Sequence, residues 1–255
     1  PKTIDNDIYP VKQSLGASSA AESGAIFFNN IVNENNMSPR QLIIHEVMGR
    51  NSGWLTAYTA KIYSDMLDRK KNSLENLNLG SIYNLNRFKI HALYVPEESY
   101  DFTVELERLN QTMNDIGCLN VFISEGAFLK EISNEIESKG NEINKDAFGH
   151  IQLDSINTGK WISKIISDKI NIERVLIQKS GYFARSSAPN SEDLEYIFKI
   201  CDFAFKQALN GNSGVAGVDE RSNELSCIDF NLIRGDKGLD INSKWYLDMM
   251  KEIRA

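Results

Sequence analysis

The chain has 255 residues, of which 42% are hydrophobic and 25% are charged, a composition typical of a globular protein that buries a sizeable core. Its net charge of −7 argues against nucleic acid or an acidic membrane surface as a main partner, and no apolar run approaches the length of a membrane span. The three cysteines, Cys118, Cys201 and Cys227, are widely spaced. That spacing argues against a metal–thiolate site and indicates a reducing, cytoplasmic setting.

The first half of the chain alternates helical and strand patterns. Helical spacing covers 14–33 and resumes at 54–61, and a buried strand is predicted at 41–47 between them. Residues 70–86 are rich in Lys, Asn and Ser, so we expect a loosely ordered surface insert there. A second strand is predicted at 90–95.

The second half continues the alternation. Helices are predicted at 102–116, 130–146 (with a loop), 158–170, 191–209 and 243–254. Strands are predicted at 119–123, at 174–178 and near Val215. Ser191 is the predicted cap of the helix at 191–209, with Glu192 and Asp193 in its first turn. Strands that alternate with helices predict an α/β protein with a largely parallel sheet.

A polar segment opens the chain and carries a hydroxyl, a cation, two carboxylates and a carboxamide; it comprises Pro1-Lys2-Thr3-Ile4-Asp5-Asn6-Asp7. Proline cannot continue a ladder or helix, so the segment predicts a loop or a strand end. In an extended backbone Thr3, Asp5 and Asp7 share one side, opposite Lys2. A base, a carboxylate near Mg²⁺ and a lysine near phosphate are the groups that phosphoryl transfer requires. The alternative interpretation is an acidic turn capped by asparagine.

More polar side chains follow the predicted strands, where open α/β sheets place their ligand sites. Arg50 follows the first strand, Glu125 the third, and Lys179, Tyr182 and Arg185 the fourth. An arginine clamps phosphate in a bidentate manner, and a carboxylate accepts hydrogen bonds from sugar hydroxyls. Each group alone is typical of a solvated surface, a helix cap or a salt bridge. Together with the opening segment they predict a site for a phosphorylated sugar.

Several motifs together resemble the phosphofructokinase A family, and most closely its diphosphate-dependent branch, over nearly all of the chain. They lie at 1–7, 14–17, 46–54, 123–126, 146–150 and 178–185. The resemblance implies an α/β fold of two Rossmann-like three-layer lobes with largely parallel sheets. The first lobe is expected to be incomplete, since the family's glycine-rich donor-binding loop precedes the opening motif. The chain begins with proline rather than methionine, and we expect that its N-terminal part is missing.

The resemblance also implies roles for the opening segment. Asp5 is expected to take the proton from the 1-hydroxyl of fructose 6-phosphate, with Thr3 near the sugar or the transferred phosphoryl group. Asp7 is expected to hold the sugar or to lie in the second shell of Mg²⁺, whose main ligand belongs to the missing loop. Lys2 stands where ATP-dependent relatives tend to have glycine. A lysine there is expected to neutralise the phosphoryl group of diphosphate, which brings no adenosine to bind.

The substrate pocket implied by the resemblance is lined by Thr3, Ile4, Asp5, Asp7, Met48, Gly49, Arg50, Glu125, Tyr182, Phe183, Ala184 and Arg185. Arg50 is expected near the transferred phosphoryl group as a catalytic residue, and Glu125 is expected to bind sugar hydroxyls. Tyr182 and Arg185 are expected to bind the 6-phosphate. Ala184 departs from the family pattern, because many relatives have glutamine there.

The expected activity is reversible phosphoryl transfer from diphosphate to fructose 6-phosphate, a glycolytic reaction that uses Mg²⁺. The expected lobes are 1–16 plus 184–225 for donor binding and 17–183 plus 226–255 for sugar phosphate binding. We expect a homo-oligomer, dimer or larger, in the cytoplasm. Two alternatives remain open from sequence: an ATP-dependent 6-phosphofructokinase, and a non-catalytic paralogue or subunit that binds sugar phosphates.

Overall fold

The computed structural model describes residues 1–35, 38–77, 84–140 and 156–254. The motif at 146–150 and the end of the predicted helix at 130–146 lie outside these residues. Within the described ranges, no helix combines the length and the apolar character needed to cross a membrane.

The described residues form helices and strands in alternation. In chain order they are α1 (Ala17–Asn35), β1 (Gln41–Val47), α2 (Trp54–Asn76), β2 (Ala92–Tyr94), α3 (Phe102–Ile116), β3 (Cys118–Ser124), α4 (Leu129–Ser138), α5 (Thr158–Ser167), β4 (Arg174–Lys179), α6 (Gly181–Arg185), α7 (Ser191–Leu209), β5 (Val215–Asp219), β6 (Glu224–Ile228) and α8 (Lys244–Arg254). Short 3₁₀ turns lie at Leu85–Phe88 and Phe230–Leu232.

The first four strands form one parallel sheet in the order β2-β3-β1-β4. Strand β1 lies between β3 and β4, and every residue of β1 is buried. Its last residue, Val47, is in register with Ser124 of β3, and Glu46 is in register with Lys179 of β4. The turns that leave these three strands therefore lie side by side at one edge of the sheet.

Apolar side chains cover both faces of this sheet. Ile43 and Val47 of β1 point into a core shared with α1, α2 and α8, whereas Leu42 and Ile44 point into a second core with α3, α4 and α5. Alternating residues of a strand face opposite sides, which is why adjacent positions enter different cores. The prediction of an α/β fold with a parallel sheet is confirmed, and this unit has three layers.

The surface insert predicted at 70–86 is wrong for residues 70–76, because α2 continues through Asn76. Tyr63 is the last fully buried residue of this helix, and the polar residues that follow extend it into solvent. Lys, Arg, Glu and Leu are good helix formers, and Lys71 lies 4.0 Å from Glu75 one turn later. Residues 78–83 of the predicted insert lie outside the described part of the chain.

Three further details differ from the sequence-based expectation. The cap of α7 is Asn190 rather than Ser191, and its side chain accepts the N–H of Asp193 at 2.9 Å. Residues after β4 form the short helix α6, which the sequence analysis did not predict. The strand near Val215 is one arm of an antiparallel hairpin with β6. The turn between β5 and β6 lacks the Asn-Gly or Asp-Gly pair that is typical of tight hairpins. Asn223 in this turn takes the left-handed conformation (φ 59°).

A buried carboxylate ties α7 to the start of α1. Asp193 is fully buried and accepts the backbone N–H of Gly16 at 3.1 Å and that of Ser19 at 2.9 Å, and the hydroxyl of Ser19 also donates to it. These are N–H groups of the first turn of α1, which have no partner within their own helix. A negative charge at this position is also favoured by the dipole of the helix. This contact joins Ser19 and Asp193, which are 174 residues apart in the sequence.

We expect Asp193→Ala to lower the free energy of unfolding by about 2–4 kcal/mol, because it leaves buried N–H donors without an acceptor. Denaturation by urea measures this change. The control is Asp202→Ala on the same helix, since Asp202 is exposed and forms an ion pair with Lys206 one turn away; its expected effect is below about 0.5 kcal/mol. Equal effects of the two substitutions would contradict the anchoring role of Asp193.

Candidate active site

The opening segment is shaped by one asparagine. Asn6 is buried and takes the left-handed conformation, with φ at 52°. Its side chain accepts the N–H of Ser14 at 2.8 Å and donates to the carbonyl of Lys12 at 3.3 Å. The backbone therefore turns at Asn6, which agrees with the predicted loop, and the segment is not extended throughout. Short polar side chains such as asparagine tolerate this conformation better than other non-glycine residues.

Thr3, Asp5 and Asp7 lie together despite this turn. The Thr3 hydroxyl donates to Oδ1 of Asp7 at 3.3 Å, and the same hydroxyl oxygen accepts the backbone N–H of Asp5 at 3.3 Å. Lys2 lies apart from them, with its backbone paired to Leu15 and its side chain along a small cavity of about 260 Å³ that Ile4 also lines. The threonine thus bridges the backbone of one aspartate and the carboxylate of the other.

Asp5 lies in a strongly charged environment. Its Oδ1 is inaccessible to solvent and has no hydrogen-bond partner among the described residues. Burial raises the pKa of Asp5 above its ordinary value, and the nearby Asp7 raises it further. The guanidinium groups of Arg185 and Arg50 oppose this shift and lower the pKa. Two arginines, one from the turn after β1 and one from α6, are therefore close enough to act on this carboxylate.

The turn after β1 is locked to the turn after β3. The Ser124 hydroxyl donates to the carbonyl of Gly49 at 2.6 Å, and the N–H of Gly126 donates to the same carbonyl at 3.2 Å. A Cβ at Gly126 would lie 1.8 Å from the carbonyl oxygen of Arg50, so only glycine permits this approach. The two turns carry Arg50 and Glu125, and the contact fixes these residues relative to each other.

Glu125 lies within this locked pair of turns. Its Oε1 accepts the N–H of Gly49 at 3.1 Å. Burial raises the pKa of Glu125, and this hydrogen bond from Gly49 lowers it. Asp5 and Glu46 raise the pKa further, whereas Lys179 lowers it. Because Asp5 acts on Glu125, the opening segment and the turn after β3 face the same cleft.

The helix α6 forms the remaining wall. Ala184 is buried against the core, whereas Tyr182, Phe183 and Arg185 are exposed. The ring of Phe183 lies 5.4 Å from that of Phe27 on α1, and Nη2 of Arg185 lies 3.5 Å from Sδ of Met48. Because Ala184 faces the core, the adjacent residues of this short helix face the cleft instead.

A cavity of about 740 Å³ opens between these elements. Five of the residues predicted for the site line it: Met48, Glu125, Tyr182, Phe183 and Arg185. Arg185 also lines the smaller cavity next to Lys2, Ile4 and Ala184. The two cavities therefore meet at Arg185, with Asp5 within electrostatic reach of it.

Two charged residues of the large cavity form an ion pair: Glu46, which was not predicted for the site, and Lys179, which was noted among the polar residues after the fourth strand. Glu46 is 5% exposed and pairs with Lys179, whose Nζ lies 2.6 Å from Oε1 of Glu46. The sequence carried one signal for Glu46: it is the only acidic residue in the mostly apolar strand pattern at 41–47, and a buried carboxylate requires a partner. Only the register of β1 with β4 identifies that partner.

The described residues contain no group of three or more His, Cys, Asp or Glu side chains that could hold a metal ion. The carboxylates of Asp5 and Asp7 are the acidic pair of the cleft, and Oδ1 of Asp5 has no hydrogen-bond partner among the described residues. A pair of carboxylates together with substrate phosphates and water fits Mg²⁺, which rarely uses an all-protein cage.

Comparisons with known proteins agree with this geometry. Residues 1–65 match the family model described as Phosphofructokinase. The chain is 47% identical over 254 residues to a protein of Methylomonas methanica named pyrophosphate–fructose 6-phosphate 1-phosphotransferase, covering 99% of this chain and 61% of that protein. It is 46% identical over 256 residues to a protein of the same name from Propionibacterium freudenreichii, covering 99% of this chain and 62% of that protein.

A solved structure of a pyrophosphate-dependent phosphofructokinase from Nitrosospira multiformis superposes with a TM-score of 0.65 at 18% identity. The superposition covers 100% of this chain and 58% of the other. At that identity the likeness concerns the fold alone. The chain spans about three fifths of the length of the curated relatives that it matches.

We expect Asp5→Asn to raise the free energy of unfolding at neutral pH. The pKa of Asp5 is raised in the folded chain, so the stability that its protonated form contributes is present below the ordinary aspartate pKa and is lost as the pH rises through the raised value. Asparagine removes that loss, and its advantage should shrink as the pH falls toward about 4. Urea denaturation at several pH values measures the change.

Asp65→Asn is the control for this experiment, since Asp65 is exposed on α2 and forms an ion pair with Lys61. A less stable Asp5→Asn variant at neutral pH would mean that Arg50 and Arg185 outweigh burial, contrary to the expected sign.

Proposed function

Since this chain belongs to the phosphofructokinase family, we propose that its protein transfers a phosphoryl group from diphosphate to the 1-hydroxyl of fructose 6-phosphate. One observation carries the proposal: Asp5, Asp7, Arg50, Arg185 and Glu125 interact electrostatically around one cleft. The identity of 47% to a phosphotransferase with these substrates supports it.

Asp5 is the proposed general base. It takes the proton from the 1-hydroxyl while that oxygen forms a bond to the terminal phosphorus of diphosphate. The bond from this phosphorus to the leaving phosphate breaks, and the products are fructose 1,6-bisphosphate and phosphate. A raised pKa makes a carboxylate a stronger base. The turn at Asn6 and the Thr3 hydroxyl hold this base in place.

Positive groups stabilise the transferred phosphoryl group. Arg50 is proposed to lie beside it, and Lys2 is proposed to neutralise its charge when diphosphate is the donor. Mg²⁺ is the expected cofactor and would offset the charge of the phosphates when bound; within the described part of the chain, Asp5 and Asp7 are the carboxylates that would help to hold it. Titration of the assay with Mg²⁺ and with a chelator tests this requirement.

The sugar phosphate is proposed to occupy the large cavity. Glu125 accepts hydrogen bonds from sugar hydroxyls, and Tyr182 and Arg185 bind the 6-phosphate. Met48, Gly49 and Phe183 form the walls, and Thr3, Ile4 and Ala184 border the reacting end. The volume of about 740 Å³ lies within the range of small-molecule sites.

A second, donor-binding lobe is proposed to complete the cleft. Residues 1–16 and 184–225 were assigned to it from sequence, but the boundary at 225 falls inside β6, and Arg234 pairs with Tyr9. We place the boundary after this pairing. One face of α7 exposes an apolar stripe that such a lobe would cover: Leu194, Phe198, Phe205 and Leu209. Protection of these residues from solvent labelling in the native protein tests the assignment.

The proposed assembly is a homo-oligomer in the cytoplasm, where phosphorylated sugars are retained. Sedimentation equilibrium of the native protein and cell fractionation test these two points; a monomeric or membrane-bound protein would contradict them.

We expect Asp5→Ser to lower kcat by roughly 10²- to 10⁴-fold, with little change in KM for fructose 6-phosphate, because serine cannot take the proton. A coupled assay of the native protein measures both constants. The control is Asp65→Ser, which removes an exposed carboxylate of α2. Near-normal turnover of Asp5→Ser would remove Asp5 as the base.

We expect Lys2→Met to lower turnover with diphosphate by about 10²-fold, since a positive charge beside the developing negative charge is lost. The assay compares diphosphate with ATP side by side, and Lys61→Met on α2 is the matched control. Turnover of the unmodified protein with ATP alone would overturn the proposed donor. An unchanged rate in Lys2→Met would assign the donor preference to another residue.

A further inference from the structure

A buried carboxylate lies at the centre of the sheet, directly under the large cavity. Glu46 occupies the last but one position of β1 and is in register with Lys179, the last residue of β4. Their side chains form an ion pair of 2.6 Å between Oε1 and Nζ. The carboxylate side is 5% exposed and the lysine side 51%, so the pair points outward from the sheet into the cavity that both residues line.

The second carboxylate oxygen of Glu46 is bound to a helix. Oε2 accepts the N–H of Gly159 at 2.9 Å, in the first turn of α5. A Cβ at Gly159 would lie 2.8 Å from this oxygen and 2.9 Å from Cγ2 of Ile177, so the helix approaches the strands this closely only because the residue is glycine. The charge of Glu46 is thus shared between Lys179 and the positive end of the α5 dipole. The Lys179 side chain is half exposed, so its ammonium group can contact a further anion while it stays paired with Glu46.

The same helix end also supports Glu125. The hydroxyl of Thr158, next to Gly159, donates to the carbonyl of Glu125 at 2.8 Å. Lys179 acts electrostatically on Glu125 and favours its ionised form. Glu46 therefore connects three elements of the cavity wall: β4 through Lys179, α5 through Gly159, and through α5 the turn that carries Glu125.

We propose that Lys179 is a further phosphate-binding residue of the large cavity and that Glu46 is the buried positioning residue that holds it there. The ligand is a phosphate monoester of a sugar. Lys179 lines the same cavity as Tyr182, Arg185 and Glu125, whereas Lys2, the cation assigned to the donor, lines the smaller one. This inference rests on the proposed function for the identity of the sugar, but its geometry concerns phosphate binding alone.

The experiment measures binding to the native protein by calorimetry, with fructose 6-phosphate, fructose and inorganic phosphate as separate probes. We expect Lys179→Met to weaken binding of fructose 6-phosphate about 10- to 100-fold, as for a lost hydrogen bond to a charged group. Lys179→Arg should retain most of the affinity. The control Lys169→Met removes an exposed lysine outside the cavity and should leave binding unchanged. In the coupled assay, KM for fructose 6-phosphate should rise while KM for diphosphate stays within about twofold.

Glu46→Gln tests the positioning role, since glutamine can still accept the N–H of Gly159 but does not attract Lys179. We expect weaker binding of fructose 6-phosphate in this variant and no additional loss in the double variant with Lys179→Met. A purely structural role for Glu46 would give the same loss in both backgrounds together with a lower Tm. Unchanged or stronger binding in Glu46→Gln overturns the positioning role.

The outcomes separate this inference from the proposed function. If the native protein shows no turnover with diphosphate but Lys179→Met still weakens binding of fructose 6-phosphate or inorganic phosphate, the inference stands and the proposed reaction fails. If turnover with diphosphate is found and Lys179→Met changes neither KM nor binding of fructose 6-phosphate, the reaction stands and the inference is overturned. A rise in KM for diphosphate alone would place Lys179 at the donor and also overturn it.

Discussion

The register of β1 between β3 and β4 is the constraint on which the site depends. Because all three strands are parallel, their C-terminal turns leave the sheet at the same edge, and Val47, Ser124 and Lys179 end almost level with one another. The backbone contact of Gly126 with the turn at Arg50 then fixes the distance between two of these turns. A shift of one residue in β1 would move Glu46 to the opposite face of the sheet and separate it from Lys179.

Around this edge the chain gathers carboxylates that repel one another. Asp5, Asp7, Glu46 and Glu125 act on each other electrostatically, and burial raises the pKa of both Asp5 and Glu125. Such an arrangement costs stability unless cations compensate for it. Part of that compensation comes from Arg50, Arg185, Lys179 and backbone N–H groups, and the remainder is available to a charged ligand. Strain of this kind is typical of sites that bind phosphates and metal ions.

The part of the chain outside the four-stranded sheet has a different character. The hairpin of β5 and β6 packs on α7, where the hydroxyl of Tyr196 accepts the N–H of Val218 at 3.3 Å, while the opposite face of α7 exposes large apolar side chains. The curated relatives are longer than this chain, which spans about three fifths of them. A helix face that exposes several large apolar side chains is normally covered by another part of the protein or by a partner. This agrees with the proposed second lobe on this side of the cleft.

The amino-acid sequence by itself determined the alternation of helices and strands and which polar residues follow them. The bounds of β1, α3 and α7 follow from apolar periodicity, because burial on one or both faces leaves a pattern in the order of residues. The extension of α2, the hairpin and the cap at Asn190 depend on local contacts that periodicity does not contain. The pairing of Glu46 with Lys179, the meeting of Asp5 with Arg185 and the anchoring of α1 by Asp193 were decided only by the tertiary structure. They join residues more than 130 positions apart, and strand register and layer packing, rather than sequence spacing, determine such distances.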